Sequence, residues 1–219
     1  MRKTPGLMPG VFYAMMSEKG GDTMNEKIGC VIMASGMARR FGSNKLLHNF
    51  LGEPVMNRIL RTMSAAPLAA KVVVTRHPEI RDLCDAQGIP VVLHDMPLQS
   101  DTVALGVTAL MEMCPEMIGC MFAASDQPCL SVDSVTALCE AFQREPEQIW
   151  RMSWQGTVGN PVVFPKFTFN ELLHLPPDKG GGAVIKKHPE LVRTVEVGSE
   201  QELVDVDTPE ILEDLLKSL

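Results

Sequence analysis

Apolar residues along this chain fall into short continuous runs separated by stretches with helical spacing, and the first run is Ile28-Gly29-Cys30-Val31-Ile32-Met33. A run of that length and character predicts a strand buried on both faces. Further runs at Lys71–Thr75, Val91–Leu93 and Ile118–Ala124 predict a second, third and fourth strand. Between them the pattern predicts helices: from Glu53-Pro54 to about Ala65, from His77 to Gln87 where Gly88 stops it, and one ending near Met113 with Ser100 as its N-cap. Ser131, with an acidic residue two positions on, starts the next. Strand and helix thus alternate, the pattern of a parallel sheet covered on both faces.

After residue 147 the pattern changes. Gln148 to Gln155 alternates, which places Trp150, Met152 and Trp154 on one face of a half-buried strand, as core rather than as stacking platforms. Gly159-Asn160-Pro161 reads as a turn before a strand over Val162–Phe164. Phe169–Leu175 reads as a helix, and Asp178-Lys179-Gly180-Gly181-Gly182 precedes another that reaches about Lys187. A strand over Arg193–Val197 leads to Leu203–Asp207, and Thr208-Pro209 begins the terminal helix. No internal repeat or Ser-rich linker divides the chain, so residues 27–219 read as a single domain. Residues 1–26, broken by Pro5, Gly6, Pro9, Gly10, Gly20 and Gly21, read as a disordered and functionally silent leader, with Met24 a second candidate initiator.

Composition narrows the classes. The formal net charge of -7 argues against a nucleic-acid-binding surface. No apolar run approaches the roughly 20 residues that cross a bilayer. Six cysteines without a Cys-x-x-Cys pair read as reduced core thiols of a cytoplasmic protein, with a reactive role for Cys129 as the minor reading.

Against that acidic background the stretch after the first strand is an exception. Ala34 to Lys45 holds Gly36, Gly42, Arg39, Arg40 and Lys45, so three cations fall within seven residues. Like charges that close repel unless an anion sits among them, and glycines let backbone N–H groups approach a ligand. A polyphosphate site at the carboxyl end of the first strand follows, where open α/β sheets bind ligands; a basic surface turn is the plain alternative. Five residues separate Gly36 from Gly42, and Ser43-Asn44 intervene before Lys45, so this is no Walker loop. The dinucleotide fingerprint G-x-G-x-x-G is absent. Asp126, at the end of the fourth strand, becomes a candidate Mg²⁺ ligand beside such a loop, and Asp207 is a second. The plain reading of Asp205 and Asp207 is that they cap the last helix. The histidines show no zinc spacing, and no Gly-x-Ser-x-Gly elbow appears.

Met33-Ala34-Ser35-Gly36-Met37-Ala38-Arg39-Arg40-Phe41-Gly42-Ser43-Asn44-Lys45 resembles the signature loop of the MobA-like nucleotidyltransferases, Leu-Ala-(Ala/Gly)-Gly-x-Ser-x-Arg-(Met/Phe)-Gly-x-x-Lys. Within that family it is most similar to molybdenum cofactor cytidylyltransferases and the accessory proteins of molybdenum hydroxylases. The resemblance spans about residues 28–217. Ser100 and Thr102 match a Gly-x-Ser-x-Ser segment, and Ser125-Asp126-Gln127-Pro128 matches Gly-Asp-Gln-Pro. Gly159-Asn160-Pro161 is similar to Gly-(His/Asn)-Pro, Asp178 to Gly182 to Gly-Asp-x-Gly-Ala-Arg, and Asp205-Val206-Asp207-Thr208-Pro209 to Asp-Ile-Asp-Thr-Pro. Four positions depart: Ser35 replaces Ala or Gly, Ala38 replaces Ser, Leu98 stands for Gly, and Gly182 stands for Arg.

The resemblance implies a three-layer, Rossmann-like α/β nucleotidyltransferase fold with a mostly parallel central sheet. It implies a transferase that moves CMP from CTP onto the phosphate of molybdopterin cofactor and releases pyrophosphate. Lys45 and Arg40 would be catalytic. Ala34, Ser35, Gly36, Arg39, Gly42, Asp95 and Ser100 would bind the nucleotide, and Asp126 and Asp207 would bind Mg²⁺. A molybdenum hydroxylase would be the recipient of the product. Two alternatives share the loop: a non-catalytic carrier of finished molybdenum cofactor, and a sugar-phosphate nucleotidyltransferase, which the Asp-Gln-Pro and Asp-Val-Asp-Thr-Pro pair disfavours.

Overall fold

A computed structural model describes residues 28–36, 41 and 44–219. The expected leader lies outside the described residues, as do Arg39, Arg40 and Gly42. Strand β1 (Ile28–Ala34) is followed by a 3-10 turn at Lys45–Leu47 and a two-stranded hairpin of β2 (Asn49–Phe50) and β3 (Glu53–Pro54). Then come α1 (Val55–Ala65), β4 (Ala70–Thr75), α2 (Pro78–Asp85), β5 (Val91–Leu93), α3 (Gln99–Met113), β6 (Gly119–Ala124) and α4 (Val132–Arg144). The chain continues with β7 (Ile149–Trp154), β8 (Thr157–Pro165), α5 (Phe169–Leu173), α6 (Gly182–Lys187), β9 (Val192–Glu196) and α7 (Pro209–Lys217).

Seven strands form one sheet in the order β5-β4-β1-β6-β8-β7-β9, and only β8 runs against the others. Strand β1 lies between β4 and β6, with Val31 opposite Val72 on one side and Phe122 on the other. The chain leaves β1 toward β4 and later returns past it to β6. Sequence order therefore reverses at β1, the switch point where such sheets open a crevice at their carboxyl ends.

The continuous apolar run of β1 has a direct cause. Ile28, Cys30, Ile32 and Ala34 face a core built with α1, α2, α4 and α7, while Val31 faces a second core with α3, α5 and α6. Helices cover both faces, so no position on the strand tolerates a polar side chain. Packing is tight at Gly106 on α3, where a Cβ would come within 2.5 Å of Val31 Cγ1.

Two local expectations are corrected. Ser100 does not cap α3, because the helix begins two residues earlier than that cap implies: Leu98 is the N-cap, and the Asp101 carboxylate accepts its backbone N–H at 3.1 Å. An ionised acceptor three residues in satisfies that free N–H better than a serine already inside the first turn. Gly159-Asn160-Pro161 is not a turn either, since β8 runs through it. The chain reverses instead at Gln155-Gly156, both with positive φ (47° and 84°), a two-residue hairpin of the kind that matches strand twist. Asn160 and Pro161 fill a bulge, where pairing steps from Arg151↔Val162 to Met152↔Gly159, and a ladder interrupted there has no need of the N–H that proline lacks. Trp150, Met152 and Trp154 do share a face and pack into the first core.

Candidate active site

Leu46 is buried beneath the 3-10 turn, and Asn44 caps it by accepting the Leu46 N–H at 3.2 Å. The Asn44 amide also donates to Glu79 at 3.0 Å. So anchored, Lys45 points across the carboxyl end of the sheet, and its Nζ donates to Asp126 Oδ2 at 2.5 Å and to Asp207 Oδ1 at 2.9 Å. Residues separated by 81 and 162 positions thus meet around one ammonium.

The meeting is built from the backbone upward. The carbonyl of Asp126 accepts the N–H of Val206 at 2.9 Å, lashing the segment before α7 to the turn after β6. Buried Gln127 donates to the Leu203 carbonyl at 3.4 Å. One residue turn further on, Ser131 caps α4 through the Ser134 N–H at 3.1 Å, and buried Glu202 accepts both the N–H and the hydroxyl of Ser131, at 3.0 and 2.8 Å. Thr208 caps α7 by accepting the Ile211 N–H at 3.3 Å. Capping of the last helix thus falls to Thr208, and Asp207 faces Lys45 instead.

Burial works against the charge of Lys45, but Asp126, by charge and hydrogen bond, and Asp207 with it hold the ammonium above its ordinary value. Asp205 keeps an open edge to solvent. Even so, loss of water around its carboxyl, together with the charges of Asp126 and Asp207, pushes it up to about 6, against a hydrogen bond from Gln127 and the charge of Lys45. Among the described residues no group of three His, Cys, Asp or Glu side chains is placed to hold a metal ion. The pair Asp126 and Asp207 nevertheless fits Mg²⁺, a hard cation that takes one or two carboxylates and completes its shell with phosphate oxygens and water. Their oxygens already converge on one positive group.

Beside this cluster, the backbone of Ala34 is fixed by the Thr75 hydroxyl, which donates to the Ala34 carbonyl at 2.9 Å. Ser35 Oγ donates to the Val74 carbonyl at 3.1 Å and lies 2.9 Å from His94 Nε2. With its single proton committed to Val74, the hydroxyl accepts from His94, so Nε2 carries the ring proton. That leaves His94 Nδ1 a buried acceptor without a partner. Burial, and then the charge of Arg76, lowers the pKa of His94 below its ordinary value, which keeps the ring neutral. Thr102 Oγ1 lies 3.4 Å from the same Nε2. The Gly36 carbonyl is 3.0 Å from His77 Nε2, and a Cβ at Gly36 would meet nothing within 4 Å.

The structure therefore brings together Lys45, Asp126 and Asp207, with Ala34, Ser35 and Gly36 at the end of the neighbouring strand. Ser100 is buried in the first turn of α3, and Asp95 is exposed in the loop after β5. Sequence reading missed His94 as the partner of Ser35, because the pair is 59 residues apart and no spacing marks it. It also missed the perturbed Asp205. Cys129 is no activated thiol: burial raises its pKa, against the charge of Arg58. No helix among the described residues is long and apolar enough to cross a membrane.

A family model described as the MobA-like NTP transferase domain matches residues 30–192. The purine catabolism protein PucB of Bacillus subtilis (strain 168) is 28% identical over 196 residues, covering 82% of this chain and 91% of that protein. The crystal structure of Rv0371c from Mycobacterium tuberculosis H37Rv superposes with a TM-score of 0.78 at 22% identity, covering 88% of this chain and all of that one. Rv0371c in complex with manganese gives 0.72 at 23% identity, again covering 88% of this chain and 100% of that one. At these identities the structural likeness speaks for the fold.

Proposed function

The chain belongs to the MobA-like NTP transferase family, and from that premise we propose that it transfers CMP from CTP to the terminal phosphate of molybdopterin cofactor. The observation that carries the reading is the ammonium of Lys45 held between Asp126 and Asp207 at the switch point of the sheet. Those carboxylates would hold Mg²⁺, and the structurally similar Rv0371c is known in complex with manganese. The bound ion supplies neutralisation of phosphate charge.

The chain's own residues supply the rest. Ala34, Ser35 and Gly36 give the nucleotide a fixed edge, its backbone locked by Thr75 and its hydroxyl by Val74. Lys45, with Arg40 and Arg39 on the same loop, receives the triphosphate. An oxygen of the acceptor phosphate attacks the α-phosphorus, a new P–O–P bond forms, and the bond to the β-phosphate breaks. Its electron pair leaves with pyrophosphate, so no redox partner enters. The attacking oxygen is anionic at neutral pH, and no strong general base is required; alignment and charge neutralisation do the work.

Lys45→Ala and Asp126→Ala each lower pyrophosphate release from CTP and molybdopterin by about 100-fold or more, the scale of losing one electrostatic contact to a transition state, with the fold retained by circular dichroism. Near-normal release from both variants overturns the assignment. A carrier that hands over finished cofactor releases no pyrophosphate with any NTP in the wild type.

A further inference from the structure

On the face of the sheet covered by α3 and α6 lies a cleft of about 580 Å³, beginning at Ala124, two residues before Asp126. Its floor is apolar, with Met33, Val103, Phe122 and Phe164, and its far wall carries Arg151 from β7. Row by row across the sheet, Arg151 pairs with Val162, and Val162 with Phe122, so the guanidinium stands two strands away from the strand that delivers Asp126.

Arg151 and Arg76 are the two arginines among the described residues whose Nε is buried without a hydrogen-bond partner, but Arg76 still donates through Nη2 to the Pro97 carbonyl at 3.1 Å, and Arg151 is the one that lines this cleft. No carboxylate among the described residues pairs with it, whereas Lys45, Arg58, Arg61, Lys187 and Lys217 all have one. Desolvation alone acts on it, lowering its pKa with no compensating charge. Arginine stays protonated under such stress, so a partly buried guanidinium without a counter-ion is an uncompensated cost. A fold tolerates that cost where a ligand removes it. The opposite wall is formed by Gly180, Gly181 and Gly182. A Cβ at Gly182 would meet nothing within 4 Å, and the same wall continues into Ile185 and Lys186 of α6.

We infer that Arg151 is the specificity-determining residue for the acceptor: its guanidinium binds an anionic group on a flat, apolar-bodied molecule that lies on the Phe122–Phe164 floor. The cleft's apolar floor selects the ring, and the fork of N–H donors selects a carboxylate or phosphate carried by it. The inference rests on the proposed transferase reading for which molecule is the acceptor, but the recognition itself does not require turnover.

Two fluorescent probes of matched shape separate these levels: pterin-6-carboxylate, which carries an anion, and 6-hydroxymethylpterin, which does not. Wild-type protein binds the carboxylate about ten to a hundred times more tightly, the scale of one charge-assisted contact. Arg151→Met, which keeps the apolar stem, binds both probes alike, and Arg151→Lys retains part of the preference. Adding Gly182→Arg to Arg151→Met restores preference from the opposite wall, which a purely structural role for Arg151 does not produce. CTP·Mg²⁺ binding, followed by calorimetry, stays unchanged in all variants. Equal affinity of the wild type for the two probes overturns the inference, and so does a preference that survives Arg151→Met. If the carboxylate preference follows Arg151 while no NTP yields pyrophosphate, the transferase reading fails and the acceptor site stands. Inorganic phosphate, tested alone against the carboxylate probe, distinguishes simple anion binding from recognition of ring and anion together: competition at equal concentration overturns the ring requirement.

Discussion

Lys45 illustrates how one residue can organise chemistry held by three distant pieces of chain. Its ammonium offsets two carboxylates that would otherwise repel each other, and keeps their oxygens turned inward. Asp205 feels the same crowding without sharing the ammonium directly. Its folded-state pKa of about 6 lies above its ordinary 3.8, so between those values the folded chain holds a proton that the unfolded chain has released. Stability is therefore highest at the acid end of that window and falls as pH rises through about 6, the reverse of an ion-paired carboxylate. Asp205→Asn removes the unfavourable charge. Its melting temperature exceeds that of the wild type at pH 7, and the difference shrinks toward pH 4; a constant difference across the range contradicts the assignment. Ser35 shows the opposite economy. Its hydroxyl is spent on Val74 and His94 inside the protein, so this side chain has no free donor left for a ligand.

At the scale of elements, the site depends on a tie between the start of α4 and the segment leading into α7. Glu202 is the knot: besides Ser131 it accepts the N–H of Gly198 at 2.9 Å. Removing it strands three donors in a partly buried place. Glu202→Ala should cost about 2–4 kcal/mol of stability, the sum expected for several orphaned donors partly rescued by water, as read by urea denaturation. Because Asp207 hangs on the same segment, turnover falls more than stability alone would dictate at temperatures where the variant remains folded. A variant with full activity and lowered stability would show that Asp207 is held by α7 alone.

The whole molecule joins its first and last elements at the proposed nucleotide site, so on that reading ligand binding and global stability are coupled. A nucleotide with Mg²⁺ present at about 100 times its dissociation constant stabilises the native state by about 2.7 kcal/mol. The corresponding rise in melting temperature with CTP·Mg²⁺ disappears in the Asp126→Ala, Asp207→Ala double variant; persistence of the rise would place the nucleotide elsewhere.

Much of this was legible in one dimension. Burial on both faces forces a continuous apolar run, so β1, β4 and β6 could be read from hydrophobicity alone, and the helices between them from spacing. The glycine-rich loop after β1 and the aspartates after β6 and before α7 announce charge chemistry by residue type and position. Where competing local solutions had similar energies, spacing could not decide. Ser100 and Asp101 both offer a cap, and Asn160-Pro161 suits a turn as well as a bulge; only neighbours in space selected between them. Nor could sequence show that His94 engages Ser35, that Asp205 is crowded into a raised pKa, or that Arg151 faces a cleft without a counter-ion. Those are consequences of desolvation and proximity, which depend on which atoms from remote segments displace water, and that is settled only when the sheet closes.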